Sequence, residues 1–451
     1  MLNKLIALPL CALLLLLGAC DNESSFPTAT GKASIRAINA IPSSGDVNFL
    51  IEERSLGTIS YQSASSTASY DDLDYTFNFE VFYAGEASTR RVASRDIDFE
   101  VGKDYTLLIS GELASPTVTL WEGEEREFAE TDTVFEARFA HTAASLGSVD
   151  YYFDDPAVAP LLGNQVATLS FGEISAPVDY PEGTYVLTIT AAGDPGSVLY
   201  VSSSSFVSER NALIVTPFDG DAGDTAPVTA RAFPAQGSAL SLPDPNFPAT
   251  MQIINASQDL GTVDIYDDEA LTSQIVADHG YLDVTDEIST VSGTTNLYYT
   301  PSGDTAAITL QTSFPAFDGA RYRVVTTGVA GNFNAVISFP DRVPVLTGAK
   351  LLPFHASNNF DFLDIYIVPA GESVDDYNPS RQFLAANETA GANRLAAGSY
   401  DIYVTAFAEK AVLAGPYSID VDRGDVVDMI IVDTDDPAVL DVLFLDGGPA
   451  G

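Results

Sequence analysis

Residues able to attack, ligate or carry a proton are sparse in this sequence. Cys11 and Cys20 are its only thiols, and His141, His279 and His355 its only imidazoles, in 451 residues. Both cysteines lie in the first twenty positions, so everything beyond Cys20 lacks a disulfide, a cysteine-held zinc or a thiol nucleophile. Thr142, Gly280 and Ala356 follow the three histidines, which excludes the His-Glu-x-x-His zinc motif. Neither Gly-x-Ser-x-Gly nor Gly-x-Gly-x-x-Gly occurs, so the serine elbow and the dinucleotide loop lack support.

Carboxylates are abundant instead. The chain has 63 Asp and Glu against 20 Lys and Arg, a formal charge of −43. Such a balance opposes contact with phosphates, and no basic run exists to displace counterions, so a nucleic-acid partner is set aside. Calcium takes six to eight oxygen ligands and suits flexible acidic loops. Asp219, Asp221 and Asp224, interleaved with two glycines, form the loop that best fits it; with 63 acids, chance clustering favours a merely solvated loop. Asp71-DLD, Asp267-DE and Asp433-TDD are similar clusters, and none matches the EF-hand pattern. No cofactor is required by these residues, no catalytic residue stands out, and the expectation is a protein that is not an enzyme.

The N-terminus reads as an address. Lys4 begins a positive region, Leu5 to Leu17 are apolar, and Gly18-Ala19 precede Cys20. The run is shorter than the ~20 residues of a comfortable membrane span, as in a signal peptide. Leu17-Gly18-Ala19-Cys20 resembles the bacterial lipobox, which implies cleavage before Cys20 and acylation of its thiol. Two or three acyl chains, at about 0.8 kcal/mol per buried CH₂, anchor stably. The expectation is a signal peptide over 1–19, a polar tether over 20–32, and a lipid-anchored envelope protein in the inner or outer membrane.

Beyond the tether one pattern recurs four times. The openings read Ile35-RAINAIPSSGDVNF, Ala137-RFAHTAASLGSVDYY, Met251-QIINASQDLGTVDIY and Leu351-LPFHASNNFDFLDIY. Each begins with an apolar run ending in Asn39, His141, Asn255 or His355. Nine residues later stands Asn48, Asp150, Asp264 or Asp364. A position shared by His and Asn points to a hydrogen bond to a turn rather than to metal ligation. Asp at the start of a strand points to a fixed turn as well. Gly183-TYVLTIT matches Gly398-SYDIYVT, and Lys103-DYTLLISG matches Ala320-RYRVVTTG.

Val, Ile, Thr, Tyr and Phe dominate these runs, and Gly, Pro, Asp and Ser break them every few residues, the signature of short strands. About 100 residues with seven or so strands per copy predicts an all-β protein of four tandem immunoglobulin-like β-sandwiches. They span 33–128, 133–243, 249–342 and 348–448. The short connectors predict domains stacked end to end as an elongated rod, each able to fold alone.

Asn255-AS…VDIY and His355-AS…LDIY resemble the signature of the domain-of-unknown-function family 4397, with Gly183 and Gly398 fitting its later Gly-x-Tyr strand. The resemblance spans 33 to 446. The first copy departs in having Asn48 for Asp and no serine, the second in having Thr142 and Ala143. The family implies exported bacterial proteins with tandem β-sandwiches and assigns no activity. The expected function is therefore non-catalytic adhesion, spacing or docking to another envelope component, with binding of a carbohydrate or small ligand as the alternative. The expected partners are the membrane, through the lipid, and an envelope protein or glycan.

Overall fold

The computed structural model describes residues 28–221 and 225–446. Cys20, the signal peptide and most of the tether, together with Asp224, lie outside the described residues. Among the described residues every regular element is a strand apart from one short 3-10 turn, Val374–Asp376. Its sheets form four pairs. In each repeat the opening strand pairs in parallel with a late one: Lys32–Ala40 with Lys103–Ser110, Val134–Phe139 with Ala212–Asp219, Ala249–Asn255 with Arg321–Val329, and Ala349–His355 with Val426–Asp433. The second strand joins the opposite sheet, beside Asp74–Val81, Gly183–Ala191, Gly293–Pro301 and Gly398–Ala406 respectively. The third and fourth repeats share one order of eight strands, and the first and second keep it with one and two strands added, slightly more than the seven expected.

Both matched sequence pairs have matched bonds. The Tyr185 and Tyr400 hydroxyls each donate to the carbonyl four residues back, Pro181 and Ala396. Tyr105 and Tyr322 each accept from the N–H five residues back, Glu100 and Phe317. The rings of Tyr105, Tyr185 and Tyr322 join the sandwich cores while their polar tips fix the corner, so one residue serves both ends of a turn.

Each repeat has its own core, but the parallel pairs are buried on both faces. In Lys32–Ala40, Ala33, Ile35 and Ala37 enter the first core, while Ile38 and Ala40 point the other way into a second apolar cluster. That cluster adds Leu108 and Trp121 from the same repeat and Ala140, Ile214, Phe218 and Phe233 from the next. The third and fourth repeats repeat the arrangement: Met251 and Ile253 face the third core, while Ile254 and Val325 cluster with Phe354, Ile430 and Val432 across the boundary. Double-sided burial explains why Ala212–Asp219 (ALIVTPFD) and Val426–Asp433 (VVDMIIVD) read as near-continuous apolar runs rather than alternating ones.

This corrects the end-to-end rod. The repeats pack face to face in two pairs, first on second and third on fourth, because each carries a second apolar sheet face that water would penalise. The pairs also touch. The Ala84 N–H donates to the Thr347 carbonyl at 2.8 Å, and the Leu346 N–H donates to that of Ser43 at 2.8 Å. Arg423 stacks 4.8 Å over the Tyr83 ring. The third repeat also holds the connector before it, the Gly319 N–H donating to the Phe247 carbonyl at 2.8 Å.

Candidate functional site

The signature positions sit where turns need partners. Asn39 is fully buried; its amide donates to Ser44 Oγ and the Ile59 carbonyl, and its Oδ1 accepts from the Ile41 N–H. Asn255 makes the same kind of contacts, donating to the Gly261 carbonyl at 2.9 Å and accepting from the Ser257 N–H. His141 Nε2 lies 2.8 Å from the Gly147 carbonyl. His355 is equally buried, and that burial pushes its pKa down to about 4. Burial also lowers His141 and His279.

The signature aspartates are clamps between two hairpins. Asp264 accepts the Asp278 N–H on one oxygen and the Gly303 N–H on the other, both at 2.9 Å. Asp364 accepts the Phe383 N–H at 2.9 Å and the Ala408 N–H at 3.0 Å. Asp150 accepts the Thr168 hydroxyl and the Gly193 N–H. Asp278, Phe383 and Ala408 have φ of 50°, 59° and 61°, a left-handed backbone that costs L-residues about 1–2 kcal/mol. A carboxylate receiving their N–H groups offsets that cost. Asn48 accepts only from the Ser55 hydroxyl, so the first repeat holds a reduced clamp.

The acidic loop is engaged by protein donors. Asp219 accepts from Ser145 through both its N–H and its hydroxyl, and its carbonyl receives the Tyr61 hydroxyl of the first repeat. Asp221 accepts the Ser43 hydroxyl of the first repeat at 2.8 Å. Asp433 repeats the Asp219 arrangement: it accepts from the Ser357 hydroxyl and the Asn358 N–H, and its carbonyl receives the Tyr281 hydroxyl at 2.6 Å. Asp219 and Asp433 thus close the same corner of the two seams. Among the described residues no group of three or more His, Cys, Asp or Glu gathers as a metal site.

Two other features stand out. Between the first two repeats runs a polar trough of about 570 Å³, lined by Lys103, Glu122, Glu124, Arg126, Glu136 and Arg138. Arg138 donates there only to the carbonyls of Ser175 and Glu122, both at 3.3 Å, and burial holds its pKa below the usual value. Burial raises the Glu136 carboxyl. At the end of the fourth repeat, Phe362, Phe383 and Phe407 form an apolar knob. Phe362 and Phe383 stack at 4.0 Å, Phe407 meets Phe383 edge-on at 5.0 Å, and Phe383 is 52% exposed.

Sequence reasoning missed this knob, although a signal was present. Aligning the repeats on the signature aspartate puts Asp46, Ser148 and Thr262 where the fourth has Phe362. Ala192 and Ser302 stand where it has Phe407.

Residues 33–152 match the family model described as "Domain of unknown function (DUF4397)". The match covers the first repeat and the opening of the second, including Asn39, Asn48, His141 and Asp150. No curated protein matches the chain in sequence. Among solved structures, the Bacillus anthracis TIE protein aligns at 10% identity over 90% of this chain and 69% of its own, with a TM-score of 0.15. A family CBM26 module of Eubacterium rectale Amy13K, solved with maltoheptaose, aligns at 12% over 44% of this chain and 95% of its own, also at 0.15. The pneumococcal glycogen-degrading virulence factor SpuA aligns at 8% over 85% of this chain and 38% of its own, with the same TM-score.

Proposed function

We propose that the protein is a lipid-anchored, non-catalytic docking scaffold of a bacterial envelope, attached through Cys20. The observation that carries this reading is the pair of face-to-face seams. Two sandwiches joined through an apolar sheet face cannot swing as beads on linkers do, so the four repeats hold their outer loops at fixed relative positions. A stiff body of this kind suits presentation of surfaces to an envelope partner.

Two measurements test it together. Fatty-acid labelling of the expressed full-length chain should mark wild type and fail in Cys20→Ala, and the labelled chain should retain one envelope protein in stoichiometric amount. Labelling that persists without Cys20 contradicts the anchor; recovery of no protein contradicts docking. The trough beside Arg138 supports a second reading, a site for a polar ligand such as a carbohydrate, since clefts between domains are common binding places. A glycan-array signal abolished by Arg138→Ala would favour that reading over docking.

A further inference from the structure

We infer that the phenylalanine knob of the fourth repeat is the docking point, and that its occupant is a protein presenting an apolar groove rimmed by lysine and arginine. The inference rests on the docking reading and adds the place and the chemistry of the partner.

Three observations converge. Phe362, Phe383 and Phe407 come from three different strands or turns, yet their rings pack on one another at 4.0 and 5.0 Å. Rings that cover each other make a protruding unit to be received by a groove; a flat platform for stacking a sugar needs a free face instead. Secondly, the knob is held in place. The Asp364 clamp fixes the Phe383 N–H and the Ala408 N–H, and Phe362 and Phe407 stand immediately beside those anchored segments. Pre-fixed side chains lose little freedom on binding, which favours affinity. Thirdly, the surroundings are acidic: Asp361 and Glu409 are exposed next to Phe362 and Ala408. The nearby Lys410 donates to the Val374 and Tyr377 carbonyls and lies 4.8 Å over the Tyr366 ring, so its charge is already engaged by its own repeat. On a chain of net charge −43 an acidic rim repels a second copy and an anionic lipid surface alike, and attracts a basic partner.

The test is photocrosslinking from the full-length chain in its own envelope, with benzoylphenylalanine in place of Phe383, Phe407 or, as a distant exposed control, Val291. Positions 383 and 407 should capture one and the same protein, through a peptide that carries Lys or Arg beside apolar residues. Phe383→Asp should weaken the purified complex at least 10-fold, and Asp361→Lys with Glu409→Lys should weaken it further at low salt. Crosslinks to lipid, to glycan, to a second copy or to an acidic peptide would overturn the inference. So would silence at 383 and 407 with capture at 291, which leaves docking standing; silence at all three positions removes the docking reading as well.

Discussion

The seam between repeats one and two and the seam between repeats three and four use the same strands, yet they bury their cations by different means. In the first, Arg36 lies opposite Thr106 and is 3% exposed. It donates to Thr106 Oγ1 and to the carbonyls of Phe233 and Pro234, and burial lowers its pKa. In the second, the corresponding register holds Gln252 opposite Arg323 in one repeat and Leu352 opposite Asp428 in the other. Arg323 and Asp428 form an ion pair with both side chains almost fully buried, and Arg342 joins Asp428 at 3.1 Å. One seam therefore hydrogen-bonds its cation to neutral dipoles, with the Asp104 carboxylate acting only through space, and the other pairs it with a direct counter-charge. The lesson concerns fragility. Removing one member of a buried ion pair strands the other, whereas removing a cation held by carbonyls strands only neutral groups.

The largest effect should come from breaking the second seam. Asp428→Ala leaves two guanidinium groups without their buried partner and should cost about 3–5 kcal/mol in denaturant unfolding. The joint change Arg323→Met with Asp428→Leu should recover most of that loss. Arg36→Met in the first seam should cost no more than about 1.5 kcal/mol, and equal losses at the two seams would erase the distinction.

A smaller effect concerns pH and is shared by the two seams. Each seam joins an Asn repeat to a His repeat: Asn39 with His141, and Asn255 with His355. A His pKa lowered on folding means that the unfolded chain takes up protons first as the pH falls. Stability is therefore whole above pH 6.5 and declines between 6.5 and about 4. The shift at His355 corresponds to about 3 kcal/mol at most. His355→Asn should leave stability near pH 7.5 almost unchanged and flatten the decline; an unchanged slope would contradict a buried neutral imidazole.

Tyr61→Phe and Tyr281→Phe each remove one hydrogen bond across a seam, to the carbonyls of Asp219 and Asp433. Each should cost about 1 kcal/mol, in nearly equal measure if the two corners are equivalent. Smallest of all, a chelator should move the melting temperature by no more than about 1 °C, because Asp219 and Asp221 are already satisfied by protein donors. A fall of many degrees, absent in Asp221→Ala, would reinstate calcium at that loop.

Much of this was legible beforehand. The nine-residue interval from Asn39, His141, Asn255 and His355 to the next signature residue locates the turn joining the two sheets in every copy. Gly183 and Gly398 begin the strands they were expected to begin. What stayed hidden was the meaning of the apolar runs. A strand such as Val426–Asp433, buried on both faces, reads the same whether its second face meets its own domain or another repeat. The pairing of repeats is a long-range fact that local periodicity does not encode. Arg36 and Asp428, polar residues inside such runs, were the one local hint, since a buried charge there demands a partner across the boundary. The knob stayed hidden for a similar reason: its three rings are 21 and 24 residues apart in sequence and meet only after the hairpins form.

The most direct test of the face-to-face pairs is small-angle X-ray scattering of the chain from residue 21 onward. Each sandwich is about 30 Å along its strands, so four in line would span roughly 120 Å. Paired repeats predict a maximum dimension well short of that, unchanged between low and high salt. A span near the full linear length would contradict the seams.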